Sequence, residues 1–266
     1  MKSFCFTVDD NIRFFEDLTR GDQTSLFEHP YLAVYHRLHE EFDLKVQLNL
    51  FYENATFDLS EMTDRFRDEW AANSDWLKLS FHSKAEFPPK PYQFATPEQI
   101  IEDYDKVCRE IIRFAGEECL STVTTIHFGE ANVECARALR ARGTTTLTGY
   151  FEHTAKGDPL VAYYAPDDLI DHVGERDFWV DTEEDILFGR IDIVLNGKTL
   201  EWVMEEMCKI IASPTRSGFV SIMIHEQYFY ENYSHFRPDF AERVLHPCRL
   251  LCETGYVGAH ISEVTE

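Results

Sequence analysis

Hydrophobic positions along the chain alternate between two rhythms. Dense apolar runs of strand type occupy residues 3–8, 45–52, 76–81, 122–128, 145–151 and 219–224. Between them the spacing turns helical. Over 31–42, residues Tyr31, Val34, Tyr35, Leu38 and Phe42 repeat at i, i+3, i+4 and i+7. Ser60 is placed to cap a helix carrying Met62, Phe66 and Trp70. Thr96-Pro97-Glu98-Gln99 is a strong helix start, with Thr as cap, Pro in the first position and Gln closing a capping box. Its apolar face runs Ile100, Tyr104, Val107, Ile111, Phe114. A further helix ends with Arg137, Arg140 and Arg142 before Gly143, where the dipole and the C-cap favour cations and glycine. Another carries Leu200, Val203, Met204, Met207, Ile210 and Ile211. The last begins at Pro238, and Pro247 should kink or end it before a closing strand at 257–261.

Strands alternating with helices of these lengths predict a mostly parallel sheet in one α/β domain spanning 1–266. The stretch 152–196 fits less well. It holds strand-like runs at 160–164, 178–180 and 186–195 and a turn signal at Asn196-Gly197, and it reads as a possible insertion. In such folds ligand-facing groups sit just past the carboxyl ends of strands. Asp9, Asp10, His82, His127 and His225 all fall at that position, and this repetition points to an enzyme.

Composition narrows the partners. With 48 acidic and 25 basic side chains the formal charge is −23, which disfavours nucleic acid and anionic membrane surfaces. No apolar run approaches the ~20 residues of a membrane span. The start of the chain lacks the features of a secretory signal, and seven widely spaced cysteines without a Cys-x-x-Cys pair suggest reduced thiols. Both indicate a cytoplasmic protein. Cys248 and Cys252 read as small apolar residues on one helix face.

Single residues admit bland readings: Asp9-Asp10 as an acidic turn, His225 as a core histidine, His127 as a structurally paired one. If the chain makes a helical turn after its third strand, His82 and Glu86 at i, i+4 share a side and can hold a divalent cation, with Asp10 as third ligand. The ordered set Thr7-Val8-Asp9-Asp10, His82-Ser83-x-x-Glu86, Ile126-His127-Phe128-Gly129, Trp179-x-Asp181 and Ile222-Met223-Ile224-His225 resembles the polysaccharide deacetylases, the nodulation-type carbohydrate esterases. The resemblance implies a distorted (β/α) barrel of the glycoside hydrolase/deacetylase type. It also implies a divalent metal and hydrolytic removal of an acyl group, usually from an N-acetyl sugar.

Carried over by position, Asp9 is the catalytic base and His225 the acid that protonates the leaving amine. Asp10, His82 and Glu86 are the metal ligands, and His127, Trp179 and Asp181 contact substrate or orient the site, Asp181 by holding the His225 tautomer. The departures are Glu86 where a metal histidine belongs, His127 in place of an arginine that orients the base, Val8 for Phe and Asn11 for Gly. An Asp-His-Glu set would leave a bound dication neutral and favour Mn²⁺ over Zn²⁺. The partner expected is a small carbohydrate. Two other readings stand beside it: a catalytically silent barrel that binds a carbohydrate or protein, and a glycosidase working through paired carboxylates.

Overall fold

The computed structural model describes residues 2–264. The first half of the chain forms β1 (Ser3–Asn11), α1 (Arg13–Arg20), α2 (Pro30–Phe42), β2 (Val46–Phe51), α3 (Arg67–Ala72) and β3 (Leu77–Ser83). It continues with α4 (Pro97–Phe114), β4 (Val123–Thr124), α5 (Val133–Ala141) and β5 (Thr146–Gly149). Then come β6 (Glu152–His153), β7 (Pro159–Leu160), α6 (Asp167–Gly174), β8 (Phe178–Asp181), β9 (Ile186–Arg190) and β10 (Ile193–Val194). The chain closes with α7 (Leu200–Ala212), β11 (Phe219–His225), α8 (Phe240–Glu253) and β12 (Val257–Gly258).

The strands form an α/β fold in which two largely parallel sheets curve toward each other. One runs β10-β11-β1-β2-β3 with β12 beside β1, and the other runs β4-β5-β9-β8 with only β8 antiparallel. Two joins make a distorted barrel of them. The backbone after β9 crosses directly: the Ile191 N–H donates to Gly149 in one sheet, and the Asp192 N–H to Ser221 in the other. Opposite, between β3 and β4, there is a seam rather than a regular ladder. The Ser121 N–H donates to the Leu79 carbonyl at 2.8 Å, the Ser80 hydroxyl to Val123 at 2.6 Å, and the Thr124 hydroxyl to Phe81. Side chains thus replace missing backbone pairing where β4 is shortest.

Helices cover the outside with the apolar faces their spacing predicts. In α4 the capping box of Thr96 and Gln99 is formed, and Ile100, Tyr104, Val107, Ile111 and Phe114 are buried. Several expectations need correction. The helix expected from Ser60 is a single 3₁₀ turn, and α3 begins only at Arg67. The strand expected over 122–128 leaves the sheet after Thr124 and enters a turn with Phe128 left-handed (φ +62°), and His127 of this turn lines the barrel mouth. Pro247 does not end α8, which continues to Glu253 with Val244, Pro247, Cys248 and Leu251 buried; that packing offsets one missing N–H bond. The stretch 152–196 divides. Residues 152–174 form the β6–β7 strap and α6, while β9 and β10 belong to the sheets.

One helix start was not readable. Ile12 precedes α1 and offers no side-chain cap. The first N–H groups of α1 are met instead by Glu226, from the far end of the chain. Its carboxylate accepts from Ile12 and Arg13 at 2.9 Å and from Phe14 at 2.8 Å, with no exposed surface. Burial pushes this carboxyl up to about 7 from a usual 4.5, against the pull of the three N–H donors.

Glu226→Gln would point an amide donor at one of those N–H groups. It is expected to destabilise the fold by about 1–3 kcal/mol, read as a lower Tm in thermal unfolding. Because the folded carboxyl titrates above its unfolded value, its contribution is full below about 4.5 and lost as pH rises through about 7. The gap between wild type and Glu226→Gln should therefore narrow from pH 5 to pH 8. A constant gap would contradict this assignment.

Candidate metal centre and active-site cleft

The carboxyl ends of β1, β3 and β11 and the turn after β4 meet at the barrel mouth. Parallel register places Asp9 beside His225. Pairing is irregular at the site. Between β1 and β2 the register shifts between Val8 and Asn11, and between β2 and β3 it shifts around His82. In a regular strand Asp9 and Asp10 would face opposite sides. At the bulge Asp10 takes a left-handed conformation (φ +64°), and both residues line the same cleft. Asn11 locks the bulge from inside. Its amide donates to Val8 at 2.5 Å and to Asn49 at 3.1 Å, and its oxygen accepts from the Tyr31 hydroxyl at 2.6 Å.

Asp10, His82 and His127, all buried, converge. The Asp10 Oδ1 lies 3.1 Å from His82 Nε2 and 3.4 Å from His127 Nδ1, and those two nitrogens are 3.1 Å apart. Their second ring nitrogens fix which proton is where. His82 Nδ1 donates to the Thr125 carbonyl, and His127 Nε2 donates to the Glu86 carbonyl at 3.1 Å. A carbonyl only accepts, so both neutral rings turn a bare lone pair toward Asp10. Three acceptors then face one point without a donor among them. Each unmet buried acceptor costs about 1–3 kcal/mol, and a shared cation resolves all three. Ligands ~2.1 Å from one ion stand roughly 3.0–3.4 Å from each other, as these do. Histidines tied back to carbonyls are the usual outer support of metal sites.

The charges agree. Burial opposes ionisation of Asp10, but the closeness of the His127 and His82 rings and the field of His225 outweigh it and hold the carboxyl well below its usual range. Gln227 Nε2 donates to its other oxygen at 2.7 Å. Asp9 behaves oppositely. Burial pushes its carboxyl up despite His82 and His225, and the donor that reaches it is the Asn49 amide at 2.6 Å. His82 is pushed down by burial, but Asp9 and Asp10 more than offset this and raise it. His225 Nε2 is 4.0 Å from Asp10, while its Nδ1 is 2.9 Å from Asn196 Oδ1, which makes Nδ1 the protonated nitrogen.

Three expectations about site residues fail on this geometry. Glu86 does not join Asp10 and His82: β3 stays extended through Ser83, no helical turn follows, and only the Glu86 main chain reaches the group. His127 holds that place, from the turn after β4. The lean toward Mn²⁺ rested on the Glu86 carboxylate and falls with it. Trp179 and Asp181 lie elsewhere, on β8. Trp179 stacks on Phe188, and Asp181 accepts from the Tyr164 hydroxyl and from the backbone of Glu183 and Glu184. Asn196, read from sequence as a turn residue, holds His225 instead. Asn49 and Gln227 were also missed. A polar residue in the middle of the core run Val46–Phe51 was the available signal for Asn49.

Comparison with known proteins places the fold. No family model matches the chain, and no curated protein matches it. Solved structures do. A family 4 acetyl xylan esterase from Clostridium thermocellum, in complex with a cobalt ion, aligns with 98% of this chain and 89% of its own at 12% identity and a TM-score of 0.50. A 4-alpha-glucanotransferase from Thermococcus litoralis aligns over 98% of this chain at 11% identity and a TM-score of 0.61; the chain spans 40% of that protein's length. The chain thus shares the α/β fold of these two proteins, with the family 4 esterase matched over nearly its whole length. The motif resemblance to the polysaccharide deacetylases holds at the level of architecture. Among the described residues no helix is long and apolar enough to cross a membrane.

Titration calorimetry of chelator-stripped protein with Zn²⁺, Co²⁺ or Mn²⁺ is expected to show one tight site per chain. His127→Ala and His82→Ala should weaken it by at least about 100-fold, the upper reach of ligand-support effects. Glu86→Ala should change it less than threefold (~0.7 kcal/mol). Loss of binding in Glu86→Ala with retention in His127→Ala would reverse the assignment.

Proposed function

We propose that the protein is a metal-dependent hydrolase that removes an acyl group from a carbohydrate or sugar derivative. The observation carrying this reading is the convergence of Asp10, His82 and His127 as three buried acceptors beside Asp9 and His225. The fold shared with an acetyl xylan esterase, itself in complex with a cobalt ion, supports it.

A divalent cation held by Asp10, His82 and His127 would supply the charge that polarises an acyl carbonyl and eases deprotonation of water. With one carboxylate and two neutral imidazoles around it, such a site carries a net charge of +2 − 1 = +1, and its nitrogen-rich donor set suits Zn²⁺ or Co²⁺ as well as Mn²⁺. The chain's own groups do the proton work. Asp9, pushed up by burial, is a stronger base than an exposed aspartate and takes the proton of the attacking water. The water oxygen bonds to the acyl carbon, the bond from that carbon to the leaving nitrogen or oxygen breaks, and the protonated His225 donates from Nε2 to the leaving atom. Asn196 keeps Nδ1 protonated and turned away, which presents Nε2 to the cleft.

The cleft beside this group supports a carbohydrate partner. Tyr228 and Tyr233 line it, Tyr230 reaches its outer part with its hydroxyl on Asp17 at 2.9 Å, and Phe229 is instead packed on Tyr31 and Phe240. The silent-barrel alternative rested on Glu86 and His127 as damaged positions. With His127 seated as the third acceptor it loses that footing.

Release of carboxylic acid from N-acyl and O-acyl sugars should require the added metal and stop with a chelator. Asp9→Asn should lower kcat by about 10²–10⁴ while leaving metal affinity within a few-fold. Full hydrolysis in excess chelator, or none in metal-saturated protein across both amide and ester series, would overturn the reading.

A further inference from the structure

The cleft at the barrel mouth has two lobes that meet at Asp10 and Gln227. The outer one, of about 680 Å³, is lined by Arg13, Glu16, Asp17, Glu53, Asn54 and Thr56, groups suited to hydroxyls. The inner one, of about 510 Å³, has Asp9, Asp10, His82, His127 and His225 at one wall, and an apolar part that includes Phe128, Leu160 and Val161 among further polar and aromatic residues. Phe128 and Leu160 keep exposed apolar surface (44% and 36%), whereas Ile126, Ile191 and Met223 are buried behind the wall.

The roof of the inner lobe is built at a conformational cost. Val161, a β-branched residue, sits at φ +49°, a region such residues rarely enter. It is wedged between two glycines. A Cβ on Gly129 would lie 2.1 Å from Val161 Cγ1, and one on Gly149 would lie 2.3 Å from the Val161 carbonyl oxygen. That oxygen accepts from the N–H groups of Tyr150 (3.0 Å) and Phe151 (3.3 Å). Two residues on, Tyr163 at φ +55° donates its N–H to Gly129 at 2.8 Å and its hydroxyl to Thr148 at 2.7 Å. The strap after β7 is therefore fixed over the lobe with Val161 facing in, and strained backbone so firmly held is a mark of functional positioning.

We propose that the inner lobe receives the acyl group, that this group is an aliphatic chain longer than acetyl, and that Val161 sets the length accepted. This rests on the hydrolase reading above and sharpens it. A lobe of about 510 Å³ equals roughly 17 waters at about 30 Å³ each, whereas an acetyl group displaces two or three. An acetyl methyl alone would leave most of the apolar surface of Phe128, Leu160 and Val161 uncovered. The outer lobe is richer in hydroxyl-bonding groups, which suits the sugar, while the open apolar side chains of the inner lobe suit the acyl chain.

Binding and turnover are measured separately. Metal-loaded Asp9→Asn protein is titrated calorimetrically with N-acetyl-, N-butanoyl-, N-hexanoyl- and N-octanoylglucosamine, and metal-loaded wild type is assayed on the same series. Full burial of a methylene is worth about fourfold, so hexanoyl should bind at least tenfold tighter than acetyl, and kcat/KM should rise with it. Val161→Trp should erase that preference, and Val161→Gly should move the optimum to a longer chain; circular dichroism reports folding, and either variant alone suffices. Equal binding of acetyl and hexanoyl overturns the proposal even where hydrolysis proceeds. Chain-length-selective binding that Val161 variants shift, with no turnover by wild type, upholds the lobe assignment and rejects the hydrolase reading. A preference that survives Val161→Trp removes Val161 from the role.

Discussion

Three lone pairs aimed at one point, out of water, are the constraint on which the rest of the structure turns. Asp10 cannot face His82 and His127 at hydrogen-bonding distance unless something positive stands among them, because both rings have committed their protons to carbonyls of Thr125 and Glu86. One proton on either ring could serve as a stand-in, and the low-lying Asp10 carboxyl beside a raised His82 describes that state. A dication satisfies all three at once. The bulges in β1 and β3, the turn at Phe128 and the seam between β3 and β4 all have the effect of bringing these groups together.

Much of the fold was legible in the chain because it follows from burial. The dense runs became β1, β2, β3 and β11, and the helical faces of α2, α4 and α7 pack as their spacing requires. Errors cluster where irregular backbone overrides periodicity. The run 122–128 is strand-like in sequence, yet sheet pairing ends at Thr124 and the chain goes on into a turn with Phe128 left-handed. The start of α1 has no local signal, since its cap is Glu226, 212 positions or more away. No pattern within a window can show such a pairing.

The site was legible in part for the same reason. Polar residues just past apolar runs identified Asp9, Asp10, His82, His127 and His225, and these five line one cleft. Which of them share a point depends on angles at strand ends. The i, i+4 rule that joined His82 to Glu86 presumes a helix, and β3 supplies extended chain there instead. Trp179 and Asp181 were placed by resemblance alone, and β8 runs antiparallel at the sheet margin, where its residues serve packing and turn capping.

The exchange of partners among these residues has an electrostatic logic. The motif resemblance puts an arginine beside the base, at the position of His127. Here His127 turns to Asp10, and Asp9 is left with the neutral amide of Asn49, itself held by Gln47 at 2.7 Å, which accepts in turn from Ser121. A guanidinium would stabilise the Asp9 carboxylate and weaken it as a base. An amide orients the carboxylate with far less of that effect, so desolvation keeps it basic. With a dication held one residue away the difference matters more, because that charge already favours ionised Asp9. Moving the orienting task from a cation to an amide thus keeps Asp9 basic beside a group that would itself carry a net charge of +1 with a dication bound.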